Sequence, residues 1–293
     1  MTYNHPSVMV REVVEYLAPR PHGVYVDVTF GGGGHSAAIL QAEPTCTIIA
    51  CDWDAQALEV NGPLLELKFS GRVTLLWTNF SRLSEHLRKM GVTHVDGILA
   101  DFGTSRYQIE TGAGFSYARD TPLDMRMSSA HHKTTAYDIL RQASEHELVH
   151  ILGTYGEERN AKRIAQEIVA ARTRGEAVKT TTDLVRLIER IIPYRDNSIH
   201  PATKTFQALR IVVNKELENI NALLSQAPNI LSPGGRLVCI SFHSLEDRMV
   251  KHAFVERRDV WRIITPQIVT PTDAEIKGNS ASRSARLRCG ERI

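Results

Sequence analysis

Cysteine is scarce in this 293-residue chain: Cys46, Cys51, Cys239 and Cys289 are the whole complement, and no two make a CxxC pair. Such spacing suits buried thiols in a reducing cytosol better than a disulfide framework or a zinc ribbon. On a strand, Cys46 and Cys51 would point to opposite faces. Long apolar runs are also missing. Stretches such as 46–51 and 92–100 fall well short of the ~20 residues a membrane helix needs, so no bilayer span and no membrane partner are expected. The opening MTYNHPSVMVREVV has His5 and Pro6 where a signal peptide would carry basic residues and then an apolar core, so the expected location is cytoplasmic. Charge of one sign is absent as well: 35 Lys and Arg face 33 Asp and Glu, a formal +2, so any nucleic-acid contact must rest on local patches. With 42% hydrophobic and 23% charged residues and no internal repeat, disordered and fibrous classes are excluded.

What is there is an alternation. Residues 24–30 (VYVDVTF), 45–51, 73–78 and 95–100 read as strands, with helical stretches at 35–42, 55–69 and 81–90 between them, the pattern of an open parallel sheet. From about residue 110 to 199 strand signals vanish. Helical spacing appears instead at 135–142, 144–152, 157–174 and 182–192, with Ser144 before Glu147 and Thr181 before Asp183 as helix starts. Alternation then resumes: a long helix over 204–225, a turn at Ser232-Pro233-Gly234-Gly235, a strand over 236–242, a helix over 245–257, and late strands at 261–269 and 285–292.

The strongest local signal is DVTFGGGGHS at 27–36, a strand that ends in glycines and opens a helix. Glycine allows positive φ and close approach of a ligand, and a helix N-terminus offers unpaired N–H donors, so a nucleotide-like ligand is implied. Ser36 stands where a dinucleotide fingerprint wants its third glycine. Asp52 closes the second strand, where a carboxylate can accept both ribose hydroxyls of either NAD or S-adenosylmethionine. Phe80 follows the third strand, where it could lie against an adenine, and Asp101 ends the fourth in Asp-Phe-Gly-Thr-Ser-Arg. All four features fall at strand carboxyl ends, the ligand-binding edge of open α/β sheets.

Two other patterns compete. His146-Glu147-Leu148-Val149-His150 fits HExxH, which on a helix can hold zinc, but no third ligand stands out and a plain amphipathic helix is the expectation, with no metal. Basic residues cluster at Arg159, Lys162 and Arg163 and at Arg283, Arg286 and Arg288, either as solvated faces or as phosphate contacts.

Together these segments resemble the MraW family of small-subunit ribosomal RNA (cytosine-N4)-methyltransferases. The likeness runs through His5-Pro6-Ser7-Val8-Met9, the 27–36 loop, Gly114-Phe115-Ser116, Pro122-Leu123-Asp124-Met125-Arg126-Met127, Tyr155-Gly156-Glu157-Glu158-Arg159, the string HPATKTFQA at 200–208 and the string SFHSLEDR at 241–248. It implies an α/β fold: a class I (Rossmann-like) methyltransferase sheet, mostly parallel with an antiparallel last strand. Residues 1–108 and 206–293 would bind S-adenosylmethionine, and 109–205 would form a helical substrate-recognition insert. The resemblance further implies that Gly33, Gly34, His35, Asp52, Phe80, Asp101 and Gln108 hold the cofactor. The chain departs from the family where the basic string before the last strand thins to NSASRSA at 279–285. It departs again where Asp101-Phe102-Gly103-Thr104-Ser105-Arg106 replaces the commoner Asp-Leu-Gly-Val-Ser-Ser, bringing a bulky cation near the cofactor mouth.

The implied substrate is a cytidine of 16S ribosomal RNA, free or in the 30S subunit, turned out of its stack. Asp101 is the expected acceptor for an N–H of the cytosine amine, and Asp124, Arg126 and His243 are candidates for lining the base pocket. A non-catalytic RNA-binding or assembly protein and a nicotinamide-dependent oxidoreductase are the alternatives. The oligomeric state stays open, a dimer among the options.

Overall fold

The structure is a computed structural model that describes residues 6–104, 106–194 and 200–293, without the side chains of residues 106, 107 and 110. His5, Ser105 and the Arg106 side chain therefore lie outside the described residues.

Seven strands form one sheet: β1 (Val24–Asp27), β2 (Thr47–Asp52), β3 (Val73–Trp77), β4 (Val95–Asp101), β5 (Leu231–Ser241), β6 (Trp261–Ile263) and β7 (Arg286–Arg292). Their order is β3-β2-β1-β4-β5-β7-β6. The first five run parallel, and β7 lies antiparallel to both β5 and β6. This is the expected Rossmann-like methyltransferase sheet. Its helices are α1 (Val10–Leu17), α2 (Gly34–Ala42), α3 (Ala55–Lys68) and α4 (Leu83–Lys89). After β4 come α5 (Arg106–Thr111), α6 (Ala136–Gln142), α7 (Glu145–Gly156), α8 (Ala161–Thr173), α9 (Thr181–Ile191), α10 (Thr203–Asn214), α11 (Glu216–Ile230), α12 (Ser244–Glu256) and α13 (Asp273–Gly278). None of the described helices is long and apolar enough to cross a membrane.

The chain divides into two compact units, one running up to Gly103 and resuming with Leu217–Ile293, the other being Thr104–Glu216. In the first, strand alternation sorts side chains onto two faces. Val26, Ile49, Cys51, Ile98 and Cys239 pack with Leu83, Leu87, Leu223 and Phe254. Tyr25, Ile48, Ala50, Leu99 and Val238 pack on the other side with Val13, Leu17, Ile39 and Leu58. Both faces being covered is why the parallel strands read as continuous apolar runs. The four cysteines are free and buried, as their spacing implied. Burial pushes the Cys51 thiol well up and that of Cys289 to about 12, which leaves them unreactive.

The second unit has its own core, in which Leu148, Leu152, Ile164, Ile168, Leu184, Ile188 and Leu209 meet. Three of its helices, α6, α7 and α9, start on reciprocal caps, Thr135 with Asp138, Ser144 with Glu147, and Thr180 with Asp183. The last of these corrects the expected start by one residue, because Thr180 Oγ1, not Thr181, accepts the Asp183 N–H.

The continuous helix expected over 204–225 is two helices. Lys215 sits at φ 52°, in the left-handed region, Asn214 turns its amide to the carbonyls of Met125 and Arg210, and Arg210 holds Glu216 through two hydrogen bonds of 2.8 and 2.9 Å. Apolar periodicity runs through this break and hides it. The turn expected at 232–235 is a bulge inside β5: pairing jumps from Val95 with Leu231 to Gly97 with Arg236, and Gly234 takes φ 74° within the excursion. The strand expected over 261–269 ends at Ile263.

Candidate active site

β1 ends at Asp27 and the chain enters α2 through a loop held to the sheet by its backbone. Val28 N–H donates to Leu99 O and Phe30 N–H to Cys51 O. Of the four glycines, Gly31 (φ 50°) and Gly33 (φ 75°) need the left-handed region. A Cβ on Gly33 would lie 2.8 Å from the Phe30 ring, so the loop closes only with hydrogen at that position.

The carboxyl ends of β1, β2 and β4 bring three carboxylates toward this loop. Asp27 is fully buried; its Oδ2 accepts from Ser36 Oγ at 2.7 Å and its Oδ1 from Thr29 N–H at 3.1 Å. Burial raises its pKa, against the pull of His35 and these donors. Ser36 is therefore no defective glycine: its hydroxyl satisfies a carboxylate shut away from the surface. Asp52 accepts Gly31 N–H on Oδ2 at 2.8 Å and Asp54 N–H on Oδ1 at 2.9 Å, so each oxygen keeps one lone pair. Burial pushes Asp52 up to about 7 despite those donors.

Asp101 stands at the end of β4, its own N–H donated to Thr29 Oγ1 at 2.7 Å. Its Oδ2 lies 3.8 Å from His35 Nδ1. Its Oδ1 is shielded from solvent and has no hydrogen-bond partner among the described residues. Burial lifts its pKa to about 7; the nearby His35 works against the rise, and the charges of Asp27 and Glu246 add to it. His35, buried on α2, donates Nε2–H to Val8 O at 2.7 Å, which fixes the tautomer and leaves Nδ1 facing Asp101. Phe80 is half-buried, its ring centroid 6.1 Å from that of Phe102, and its carbonyl accepts from Gln226 at 2.9 Å.

Gly33, Gly34, His35, Asp52, Phe80 and Asp101 thus belong to one unit and cluster at one sheet edge. Gln108, buried on α5, belongs to the other unit. So do Asp124 and Arg126, which the left-handed Met125 (φ 61°) turns toward each other. Arg126 Nε donates to Asp124 Oδ1 at 2.7 Å and a terminal nitrogen to Oδ2 at 2.8 Å. Burial tends to raise Asp124, but this fork holds it below the usual carboxylate range. His243 caps α12, its Nδ1 accepting Glu246 N–H at 3.4 Å and its Nε2 lying 3.2 Å from Glu246 Oε1.

Thr29, Asn61 and Gln226 were not foreseen. Asn61 donates to Gly31 O at 2.9 Å and so braces the glycine loop from α3; only its odd polarity on the buried face of that helix could have signalled it. The C-terminal basic cluster is corrected. Arg288 forks onto Asp247 at 2.6 and 3.1 Å and Arg286 lies 3.7 Å from the same carboxylate, so of the three only Arg283 is an exposed cation without a partner among the described residues. Arg159, Lys162 and Arg163 are exposed and likewise unpaired among the described residues.

The model of the MraW methylase family matches residues 2–293. The chain belongs to that family. A protein of Sorangium cellulosum named ribosomal RNA small subunit methyltransferase H is 46% identical over 291 residues, covering 99% of this chain and 91% of its own. One of the same name from Thermotoga neapolitana is 44% identical over 298 residues, covering 100% and 97%. Among solved structures, an rRNA methylase from Streptococcus thermophilus is a distant likeness, with a TM-score of 0.46, 10% identity and coverage of 97% and 93%.

The HExxH string of this family member lies on α7 with His146, Glu147 and His150 exposed. Glu147 is engaged in the helix cap, accepting Ser144 N–H at 2.7 Å and Ser144 Oγ–H at 2.8 Å, which lower its pKa. His150 Nδ1 lies 3.4 Å from Thr154 Oγ1. Metal analysis of the purified protein should find far less than one zinc per chain, and His146→Ala should keep full activity; one tight zinc lost together with activity in that variant would overturn this.

Proposed function

We propose that this chain methylates the exocyclic N4 of a cytidine in small-subunit (16S) ribosomal RNA, with S-adenosylmethionine as methyl donor and the base turned out of its stack. Family membership and the names of the relatives support the coarser part of this reading, a methylase acting on ribosomal RNA, and set the nicotinamide alternative aside. The observation that carries the finer part is Asp101: a carboxylate oxygen without a partner among the described residues, at the sheet edge where a ligand is expected, beside the glycine loop.

The residues present fit the cofactor. Asp52 keeps two lone pairs for a ribose diol, the 31–34 backbone allows close approach, Phe80 offers a ring, and the orphan oxygen of Asp101 suits a cationic amine or the N–H of a base. Gln108 completes the proposed set. When bound, the cofactor supplies a methyl group already activated by its sulfonium.

The protein is left with positioning and one proton. A cytosine amine is a poor nucleophile because its lone pair is delocalised into the ring. Asp101, when ionised, accepts one N–H and favours the rehybridised nitrogen. His35, held by Val8 O, stands 3.8 Å from the Asp101 carboxylate on the other side. We assign cofactor binding to residues 1–108 and 206–293 and RNA recognition to the helical segment 109–205, with Asp124, Arg126 and His243 toward the base.

Incubation with isolated 30S subunits, or with free 16S RNA, and isotopically labelled S-adenosylmethionine should yield N4-methylcytidine on nucleoside analysis. Label in another nucleoside, or none, would reject the assignment.

A further inference from the structure

The end of the sheet opposite the three carboxylates carries a groove of about 1000 Å³ that the function above does not use. Its walls come from α12, β6 and the end of β7. Four cations line it, Lys251, Arg258, Arg262 and Arg292, with the exposed side chains of Val255 and Ile293, and no acidic residue is among the lining. Trp261 lies beneath, buried against Phe254 with ring centroids 5.2 Å apart, so the floor is rigid.

The neighbouring carboxylates are already engaged. Glu291 is buried between Arg236 and Arg262, Glu256 pairs with His252 at 3.1 Å, and Asp259 lies 3.9 Å from Arg257. Arg292 donates to Leu231 O. Lys251 and Arg258, both exposed, have no partner among the described residues. Two free cations backed by two anchored guanidiniums, with no acidic side chain among the lining, form a surface for a polyanion. The guanidinium fork favours phosphate oxygens, and the apolar flank tolerates ribose.

We propose that this groove binds the phosphodiester backbone of the substrate RNA at a point remote from the methylated base. The inference rests on the proposed rRNA activity. Register fixes the remoteness: Arg236 faces Gly97 where Ile240 faces Asp101, so the groove end of β5 lies at least about 13 Å along the strand from the carboxylates. An RNA that meets both ends must span at least that distance, more than the target cytidine alone.

The test uses the full-length protein with 16S RNA and with assembled 30S subunits. Lys251→Ala/Arg258→Ala should keep the circular dichroism and the S-adenosylmethionine affinity of the parent. Its RNA affinity should fall about tenfold, and its log-affinity against log-salt slope should shrink by about 1.4 to 1.8, the counterions of two phosphate contacts. An unchanged slope and affinity, in a parent that methylates the RNA, would overturn the proposal. So would a variant that binds free 16S RNA normally but loses assembled subunits, which would make the occupant a protein. A parent that neither binds nor methylates the RNA would instead refute the functional reading.

Discussion

Asp101→Asn should lower single-turnover methyl transfer by about 10²-fold or more at saturating S-adenosylmethionine, the usual scale for a positioned acid–base group. The substitution keeps the shape and one acceptor oxygen while removing the charge and the capacity to take up a proton. Asp101 has a pKa raised to about 7, so the acceptor form is lost as pH falls through that region. A bound cation would favour ionisation and move the inflection down. The parent rate should therefore rise with pH to a plateau whose midpoint is at or below about 7, and the Asn variant should lack that limb. Measured at several cofactor concentrations, a variant that regains full rate at saturation would remove Asp101 from chemistry and leave it among the cofactor ligands.

Gly33→Val should reduce S-adenosylmethionine affinity by about 100-fold or more. A branched side chain at φ 75° is strained by about 1–3 kcal/mol, and its Cβ would press on the Phe30 ring at 2.8 Å. Loss of affinity could then reflect either a displaced loop at the site or general destabilisation. Gly71 separates the two, because it shares the φ of 75° and a Cβ there meets nothing within 4 Å. Gly71→Val should show similar backbone strain in thermal unfolding yet bind the cofactor like the parent. If Gly33→Val also binds like the parent while folded, the glycine loop does not hold the cofactor.

The sheet was legible because parallel strands buried on both faces have to be apolar runs, and because acidic residues at their carboxyl ends interrupt those runs at Asp52 and Asp101; the first strand read on to residue 30 because VTF continues the apolar run past Asp27, where β1 ends. Short-range chemistry was legible for the same reason: Ser144 and Glu147 are three residues apart, and a cap needs nothing further. Contacts across long sequence separations were not. Arg286 and Arg288 read as free cations because their partner, Asp247, lies on another element. Asn61 and Gln226 brace the Gly31 and Phe80 carbonyls from helices whose apolar period conceals single polar positions. The break at Lys215 escaped because apolar spacing continues through a left-handed residue. Lys251, Arg258 and Arg262 are near one another in sequence, but only the pairing of β6 with β7 brings Arg292 to them.

β4 and β5 are hydrogen-bonded neighbours, yet the whole second unit is encoded between them. A ribosome making this chain therefore releases β4 with one long edge bare, and every residue from Val95 to Ala100 bar Asp96 is destined for full burial. An apolar edge held open during synthesis invites pairing with another nascent chain. The second unit closes its own core without help from β5, so it can fold as it emerges and turn a long slack loop into a short, stiff one. Joining β5 to β4 then costs less chain entropy than the sequence separation suggests. Maturation of the sheet is thereby tied to prior folding of the segment inserted in it.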